Sequence, residues 1–580
     1  MKQAVTLTLI AGLLSAGASP ALAAAPADTD AIVAKAMTAF GAPGLSLAVV
    51  ENGNSVLTKG YGVRQIGTAA KVDAHTAIPI GSESKAFTSA ALAILVDAKK
   101  LKWTDLVKDR LPGFQMYDPY VTAHMTVRDL LTHRSGLGLG EGDLMLFPNT
   151  DRSRAELVHA LRYLKPATGF RESYAYDNIL YIVAGALVEA VSGQSWEDFV
   201  EQNIFKPVGM ADAHTSYDPK AANKVALHVR SGGPIQGVSQ QSILPHGEAE
   251  VLAPAGGINA SATDLARWMN VQLAHGKLPD GKQIFSEEQS RMMWEPVVVV
   301  PPQGPRSVAL LKPEMQNYAL GWYVEMYRGH KIVRHTGAVG GALAALYLIP
   351  EKNVGVAVTI NSEDGMAMIA ALYHLLDHYL AVPPTDWTSV LQKSQAETIA
   401  KAQTAMKALP APDPVSGAKP SLALTAYAGK YMDPWYGSMT IRDAGQGKLS
   451  ISFDRTPGME GALEPVSGNK FRTRWTQSAI ENAYVDFSIK GGKVAGATMA
   501  AISPLADFSF DRTPGMEGAL EPVSGNKFRT RWTQSAIENA YVDFSVKDGK
   551  VSGATMAAIS PLADFSFDYQ DLRFTRATAN

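Results

Sequence analysis

The carboxyl-terminal part of the chain contains a nearly perfect internal duplication. Residues 452–508 recur as residues 509–565, and only three positions differ between the two copies. Short alternating stretches separated by Gly and Pro fill both copies, which is typical of antiparallel β-strands. Residues 427–451 precede the first copy and residues 569–580 follow the second, so each flanking segment occurs once. We therefore expect one copy to complete a small barrel with both flanks while the other forms an extension with exposed strand edges; the alternative is two equal domains.

The amino-acid composition limits the chemistry and the partners of the chain. Its 580 residues include no cysteine, which excludes thiol catalysis, disulfides, thiolate zinc sites and iron–sulfur clusters within this chain. The 53 Lys and Arg residues nearly balance the 55 Asp and Glu residues, so we expect no nucleic-acid partner. The 12 histidines are scattered, without clustered ligands at metal spacing, and we expect neither a metal nor any other cofactor.

Residues 1–23 have the features of a secretory signal peptide. Lys2 gives a positive start, residues 4–14 are mostly apolar, and Ala21-Leu22-Ala23 offers a small-residue cleavage site. An uncleaved membrane anchor is the alternative, although the apolar run is short for a membrane span. We therefore expect a protein secreted across the inner membrane, periplasmic or extracellular, with no integral span once the signal peptide is removed.

The rest of the chain divides into three blocks. Residues 28–381 alternate helical and strand patterns, whereas residues 382–420 are rich in Ala, Gln, Lys and Pro and indicate a helix followed by a stiff linker. Residues 421–580 carry the β-strand pattern that includes the duplication. We therefore expect a large mixed domain, a connecting helix and linker, and a small all-β domain.

Predicted strands occur at both ends of the first block. An early hairpin is predicted at residues 45–50 and 55–57, and helices with the capping residues Thr126, Ser195 and Ser261 follow. Late strands are predicted at Tyr318–Glu325, Lys331–His335, Leu343–Ile349 and Val354–Ile360. Their short connections imply an antiparallel meander. The expected fold is of the α/β (α+β) class: one antiparallel sheet of early and late strands, flanked by helices, with an all-helical lobe inserted between them.

A candidate nucleophile lies at the start of an apolar helix. Ser82 and Lys85 are three positions apart, so they lie on one helical face within reach of each other. Residues 86–96 are apolar nearly all round, which predicts a buried helix. A desolvated Lys85 amine has a lowered pKa and can take part in proton transfer, which makes the serine reactive. The alternative for this pattern alone is a solvated helix start.

Two further short motifs occur once each in the chain. Tyr176-Asp177-Asn178 precedes an apolar segment; its phenol can relay the Ser82 proton, and its amide can bind a substrate carbonyl and Lys85. His335-Thr336-Gly337 is placed at the end of a predicted strand, where small residues let a substrate approach the backbone. Either motif alone is compatible with an ordinary helix start or a surface histidine. Their order along the chain indicates one shared site.

The order of the three motifs resembles that of the serine β-lactamase-like and penicillin-binding-protein-like hydrolases, the superfamily of class C β-lactamases, D-aminopeptidases and esterases. The likeness extends to Ile80-Gly81-Ser82, residues 125–137, residues 254–258 and residues 318–322. It spans about residues 28–380 of the chain. The segment from residue 421 resembles the small lipocalin-like domain that often follows such hydrolases.

The resemblance implies a role for each motif residue. Ser82 is the acylated nucleophile, and Lys85 and Tyr176 share the role of base, with the choice between them left open. Asn178 and the Thr336-Gly337-Ala338 segment bind the substrate. The backbone N–H groups of Ser82 and Ala338 form the oxyanion hole, and the implied reaction is acylation of Ser82 followed by hydrolysis.

The resemblance implies one more catalytic residue, His335, which begins the third motif. β-Lactamases usually have a lysine at this position. An imidazole with a pKa of about 6.5 is mostly neutral at pH 7 and lacks a permanent cation for an antibiotic carboxylate. We therefore expect a serine hydrolase of small-molecule or peptide substrates, with peptide, amide or ester hydrolysis favoured. The alternatives are a true β-lactamase or penicillin-binding carboxypeptidase, and a non-catalytic cell-envelope binding protein. Activity on a carboxylate-bearing substrate is expected to change between about pH 5.5 and 7.5.

Overall fold

The computed structural model of the chain describes most residues between 25 and 501 and five strands beyond them. The described ranges are 25–147, 150–216, 223–231, 239–243, 250–300, 311–408, 419–477, 480, 482–501, 518–524, 527–532, 540–547, 550–558 and 573–576. The predicted signal peptide, residues 1–23, and the Pro-rich stretch at residues 409–418 lie outside these ranges.

The first block contains strands from both of its ends in one antiparallel sheet, as predicted. Its strands are β1 (Gly44–Glu51), β2 (Asn54–Gly62), β3 (Ile78–Pro79), β4 (Leu227–Ser231), β5 (Ser239–Ile243), β6 (Asn259–Ala260), β7 (Val298–Val299), β8 (Met315–Tyr318), β9 (Tyr323–Tyr327), β10 (His330–Val339), β11 (Ala342–Ile349) and β12 (Val354–Ile360). The main sheet has the order β2-β1-β12-β11-β10-β9-β8-β7. The early hairpin therefore lies beside the last strand, with Leu47 paired to Val358.

Helices cover both faces of this sheet. The α-helices of the described residues are α1 (Thr29–Phe40), α2 (Ser84–Asp97), α3 (Val107–Arg110), α4 (Pro119–His124), α5 (Val127–Leu130), α6 (Arg154–Ala160), α7 (Ile179–Ser192), α8 (Trp196–Val200), α9 (Lys206–Val208), α10 (Ala253–Gly256), α11 (Ala262–Leu273), α12 (Glu287–Met293), α13 (Gly365–Tyr379) and α14 (Trp387–Ala408). The segment from α2 to α10 forms the inserted lobe between the early and late strands. It is mostly helical but is not all-helical as expected, because it also contains the paired strands β4 and β5.

Alternating side chains of β1 explain why the sheet is buried on both faces. Leu47 and Val49 pack in one apolar cluster with residues of α1, α13 and α14. Ala48 and Val50 point to the opposite face, where they join the cluster of α11 and the helical lobe. Successive residues of a strand point to opposite faces, so a continuous apolar run predicts a strand covered on both sides.

The single strand predicted over Tyr318–Glu325 is instead two strands, β8 and β9. The residues between them form a tight turn in which the Ala319 N–H donates to the Trp322 carbonyl at 2.8 Å. Gly321 has a φ of +80°, and a Cβ there would lie 2.8 Å from the carbonyl oxygen of Lys85. The glycine thus allows a left-handed turn to press against the first turn of α2.

The duplicated block forms a closed barrel and a separate sheet, as predicted. The barrel contains β13 (Gly429–Asp433), β14 (Gly437–Gly445), β15 (Lys448–Phe453), β16 (Glu460–Ser467), β17 (Lys470–Trp475), β18 (Ala483–Lys490), β19 (Lys493–Ala501) and, from the chain end, β24 (Arg573–Arg576). The second copy supplies β20 (Gly518–Ser524), β21 (Lys527–Trp532), β22 (Ala540–Lys547) and β23 (Lys550–Ala558), which pair only with one another among the described strands.

Arg455 of the first copy and Tyr436 of the preceding flank connect the barrel to the helical lobe. Arg455 pairs with Asp151 at 2.6 Å and with Glu156 at 2.9 Å, just before and within α6. Arg152 donates to the carbonyl oxygen of Tyr436.

Within the described residues, no single helix is long and apolar enough to cross a membrane, although the bent pair of residues 179–192 and 196–208 passes by length and composition.

Candidate active site

Ser82 lies in a 3₁₀ turn, Gly81–Glu83, that leads into α2. The sequence predicts Ser82 at the helix start, and the structure places it in the 3₁₀ turn that runs directly into α2, two residues before Ser84; Gly81 within this turn has a φ of +50°. The Ile80 N–H donates to the Ile258 carbonyl at 2.9 Å, and the Ser84 hydroxyl donates to the Gly81 carbonyl at 2.7 Å. These bonds fix the turn while the Ser82 side chain stays partly exposed.

The Lys85 amine is buried and has three polar neighbours. Its Nζ lies 3.0 Å from Ser82 Oγ, 2.7 Å from Asn178 Oδ1 and 2.9 Å from the Ala255 carbonyl oxygen. Burial lowers the pKa of Lys85 to about 7, against the opposing effect of the Asp143 and Asp177 carboxylates. A substantial fraction of the lysine is therefore the neutral amine near pH 7.

Tyr176 completes the group around the serine hydroxyl. Its phenol shares a side-chain hydrogen bond with Ser82, and Lys85 Nζ lies 4.8 Å from the centre of its ring. Burial raises the pKa of Tyr176 well above 10, while the bond to Ser82 opposes that rise. The phenol thus keeps its proton at neutral pH and is placed to relay one.

Asn178 connects Lys85 to a residue that no sequence motif predicted, Asp143. The Asn178 amide accepts from Lys85 through Oδ1 and donates through Nδ2 to Asp143 Oδ2 at 2.9 Å. Burial raises the pKa of Asp143 to about 7. Since Lys85 only donates to this amide and a carboxylate accepts from it, the two partners fix the orientation of the amide.

His335 lies inside β10, although the sequence predicts it at a strand end. Its side chain is buried, and Nδ1 lies 2.6 Å from the Thr336 carbonyl oxygen while Nε2 lies 3.1 Å from the Tyr318 hydroxyl. Because a carbonyl only accepts, the proton lies on Nδ1 and Tyr318 donates to Nε2. Burial and the charge of Lys85 hold the pKa of His335 well below 6.5. A change in activity caused by His335 therefore belongs at lower pH than the expected window of about 5.5 to 7.5.

The remaining third-motif residues bring β10 against the Ser82 turn. A Cβ on Gly337 would lie 1.7 Å from the Ile80 carbonyl oxygen and 2.9 Å from Ser82 N, and one on Gly81 would lie 2.5 Å from Ala338 N. Only glycines allow so close an approach of two backbones. Thr336 is half-buried and Ala338 is exposed beside this seam. The two N–H groups that the resemblance assigns to an oxyanion hole are thus near neighbours.

The arrangement joins Ser82, Lys85, Tyr176 and Asn178 in one group suited to acyl transfer, with the backbone of the third motif against the Ser82 turn. It combines a partly exposed hydroxyl, a buried amine and phenol beside it, and backbone N–H groups at a glycine-lined seam. Among the described residues, no group of three or more His, Asp or Glu side chains is arranged to hold a metal ion.

Two families match the two parts of the chain. Residues 29–380 match the family described as Beta-lactamase, which covers the sheet and the helical lobe. Residues 413–513 and 505–576 each match the domain of unknown function DUF3471, one match for each copy of the duplication.

Relatives and a solved structure extend this likeness. The unguisins hydrolase ungD' of Aspergillus campestris is 30% identical over 533 residues, covering 87% of this chain and 91% of that protein. Penicillin-binding protein 4 of Amycolatopsis lactamdurans is 26% identical over 347 residues, 58% of this chain and 84% of that protein. The octameric penicillin-binding protein homologue from Pyrococcus abyssi shares the fold, with a TM-score of 0.52 at 20% identity over 82% of this chain and 98% of that one. The chain belongs to the beta-lactamase family of serine hydrolases.

Proposed function

We propose that this chain hydrolyses peptide, amide or ester substrates by acylation and deacylation of Ser82. The observation that carries the proposal is the environment of the Lys85 amine. Asn178 Oδ1 and the Ala255 carbonyl, at 2.7 Å and 2.9 Å, only accept hydrogen bonds. The two N–H groups of a neutral amine therefore point to these oxygens, and its lone pair faces Ser82 Oγ at 3.0 Å. An amine held in this way is a general base for the serine hydroxyl.

Acylation then proceeds with Lys85 as the base and Tyr176 as the relay. Lys85 accepts the Ser82 proton as Oγ bonds to the substrate carbonyl carbon, and the carbonyl oxygen becomes an anion between the N–H groups of Ser82 and Ala338. The leaving nitrogen or oxygen takes a proton through Tyr176, which recovers one from the Lys85 ammonium. The scissile bond breaks, and an ester between Ser82 and the acyl group remains. Water then attacks this ester with the same groups, which releases the acid and restores the Ser82 hydroxyl.

The third motif favours peptides, amides or esters over β-lactams. His335 is neutral and both of its ring nitrogens have protein partners, so it offers no permanent cation to an antibiotic carboxylate. The Aspergillus relative is named as a hydrolase of unguisins, which supports hydrolysis as the activity. The name of the Amycolatopsis relative supports the alternative, a penicillin-binding carboxypeptidase or β-lactamase.

Covalent labelling tests the proposal. A fluorophosphonate, a fluorescent penicillin and an acylating ester are offered to the wild type, to Ser82→Ala and to Ser467→Ala. Ser467 is the matched control because it begins another Ser-x-x-Lys sequence, on the barrel, and is exposed. Labelling that only Ser82→Ala loses is the expected result. Absence of labelling by all three reagents would favour the non-catalytic binding protein.

Turnover distinguishes the substrate classes once labelling is established. The panel contains a chromogenic cephalosporin, short p-nitrophenyl esters and amides of D- and L-amino acids. We expect esters or amides to be hydrolysed with a higher kcat/KM than the cephalosporin. The reverse order would make the chain a β-lactamase.

We also propose that the protein is exported and that residues 1–23 are removed. The support is the sequence alone: a positive start, an apolar run and a small-residue site at Ala21-Leu22-Ala23. Expression of the full chain in a Gram-negative host, fractionation and amino-terminal sequencing of the recovered protein test this. Recovery of the protein with residues 1–23 still attached would contradict cleavage.

A further inference from the structure

His133 lies directly behind the segment of residues 175–177, which includes the start of the second motif, and holds it by three separate contacts. Its carbonyl oxygen accepts the N–H of Ala175 at 2.8 Å, and its Nδ1 accepts the N–H of Asp177 at 3.2 Å. The centre of its ring lies 4.1 Å from that of Tyr176. These contacts act on three consecutive residues of the segment that brings Tyr176 to Ser82.

The His133 side chain is suited to this role only as a neutral imidazole. Because a backbone N–H only donates, Nδ1 must be the acceptor and the proton must lie on Nε2. The side chain is buried, and burial together with the charge of Lys85 holds the pKa of His133 well below 6.5. The acceptor on Nδ1 is therefore kept throughout the neutral pH range.

The backbone of His133 is held in an unusual conformation. Its φ is +52°, in the left-handed region that residues other than glycine rarely adopt. Bonds of the adjacent residue, Arg134, fix the backbone here: its carbonyl accepts the Arg171 N–H at 2.8 Å. The Arg171 guanidinium in turn donates to Asp129 at 2.9 Å and 2.6 Å. Strain of this kind persists where the surrounding structure fixes it, and it is concentrated at functional sites.

The same ring also connects the second motif to the third. The centre of the His133 ring lies 4.5 Å from that of Tyr318. The Tyr318 hydroxyl is hydrogen-bonded to His335 at 3.1 Å. His133 therefore packs between the aromatic side chains that lead to Ser82 on one side and to His335 on the other.

We infer that His133 is a positioning residue for acylation: it holds the phenol of Tyr176 against Ser82 without contacting the substrate. This inference rests on the proposed acylation of Ser82. It predicts that the rate of the chemical step depends on His133, whereas noncovalent substrate binding does not.

Two substitutions separate the contacts of the side chain. His133→Asn keeps an acceptor near the position of Nδ1 and tolerates the left-handed backbone, but it removes the ring. His133→Phe keeps a ring and removes the acceptor of the Asp177 N–H. His133→Gly removes both contacts while relieving the backbone strain, so it decides the case if the Phe variant does not fold.

His275 offers a matched control in another part of the fold. Its φ is +53°, its Nδ1 lies 2.9 Å from Ser290 Oγ, and its ring centre lies 5.5 Å from that of Trp294. The substitutions His275→Asn, His275→Phe and His275→Gly therefore measure the general cost of changing a left-handed, hydrogen-bonded and ring-packed histidine.

The experiment measures the Tm of each variant, the rate of Ser82 labelling below the lowest Tm, and the binding of a non-hydrolysable substrate analogue. We expect at least a tenfold fall in labelling rate for the His133 variants, with analogue binding unchanged, since small displacements of a catalytic group are costly (about 10²-fold for 1 Å). The His275 variants are expected to label like the wild type. Labelling at the wild-type rate in the His133 variants, or an equal loss in the matched His275 variants, would overturn the inference. A wild type that is not labelled would instead overturn the proposed function.

Discussion

Gly337→Ala tests the close approach of β10 to the Ser82 turn. The added Cβ would lie 1.7 Å from the Ile80 carbonyl oxygen, half of the 3.4 Å at which ordinary contact begins, and 2.9 Å from Ser82 N. Both neighbours are backbone atoms, so the strand and the turn must separate, which moves the Ala338 N–H away from the oxyanion. A misplacement of about 1 Å costs about 10²-fold, and loss of one oxyanion donor costs about 10²–10³-fold or ~2.7–4 kcal/mol. We therefore expect acylation to fall by about 10²–10³-fold, together with a loss of about 1–3 kcal/mol of stability from overpacking.

Gly340→Ala is the matched control for this prediction. Gly340 lies in the connection between β10 and β11, and nothing lies within 4 Å of the position of its Cβ. The assay measures the rate of Ser82 labelling at saturating probe and the Tm of both variants. Gly340→Ala is expected to match the wild type in both measurements. A Gly337→Ala variant that acylates at the wild-type rate would refute the placement of the oxyanion hole at this seam.

Three further predictions address electrostatics and assembly. Asp143→Asn removes a negative charge that favours the ammonium form of Lys85, so the pKa of Lys85 falls below about 7. The rise of the Ser82 labelling rate with pH is then expected at lower pH than in the wild type; an unshifted pH profile contradicts this. Burial raises the pKa of Asp177 from 3.8 to about 7, so the free energy of unfolding decreases as pH rises from about 4 to 7. Denaturant titrations across this range should show a smaller decrease for Asp177→Asn; an equal dependence of the free energy of unfolding on pH contradicts this. Arg455→Ala should lower the free energy of unfolding by up to about 1 kcal/mol, because its ion pairs with Asp151 and Glu156 are partly exposed; an unchanged free energy of unfolding contradicts docking through Arg455.

The sequence was sufficient for the features that local patterns specify. The turn at residues 52–53 joins the predicted hairpin, and β12 has the predicted bounds, Val354–Ile360. The first two motifs place Ser82 and Tyr176 side by side, and the glycine of the third motif lets its strand lie against the Ser82 turn. The single flanks of the duplication likewise predicted that only one copy closes the barrel.

Features that depend on contacts between distant segments were not predicted. The turn at Gly321 interrupts an apolar run that reads as one strand, and its cause is the packing of that turn on α2. Neither Asp143 nor His133 belongs to one of the three catalytic motifs. Their importance comes from the loops that bring them to Asn178 and Tyr176, which are far along the chain. The lowered pKa of His335 follows from burial inside the sheet, which a strand-end position would not give.

Identification of the acylated residue shows directly whether Ser82 is the nucleophile. The wild-type protein is incubated with a slowly hydrolysed acyl donor, quenched in acid, digested and analysed by peptide mass spectrometry. We expect a single acyl group, on the Ser82 hydroxyl, which is lost slowly as the ester hydrolyses and is absent from Ser82→Ala. An acyl group on another residue, or turnover of the donor by Ser82→Ala at the wild-type rate, would contradict it.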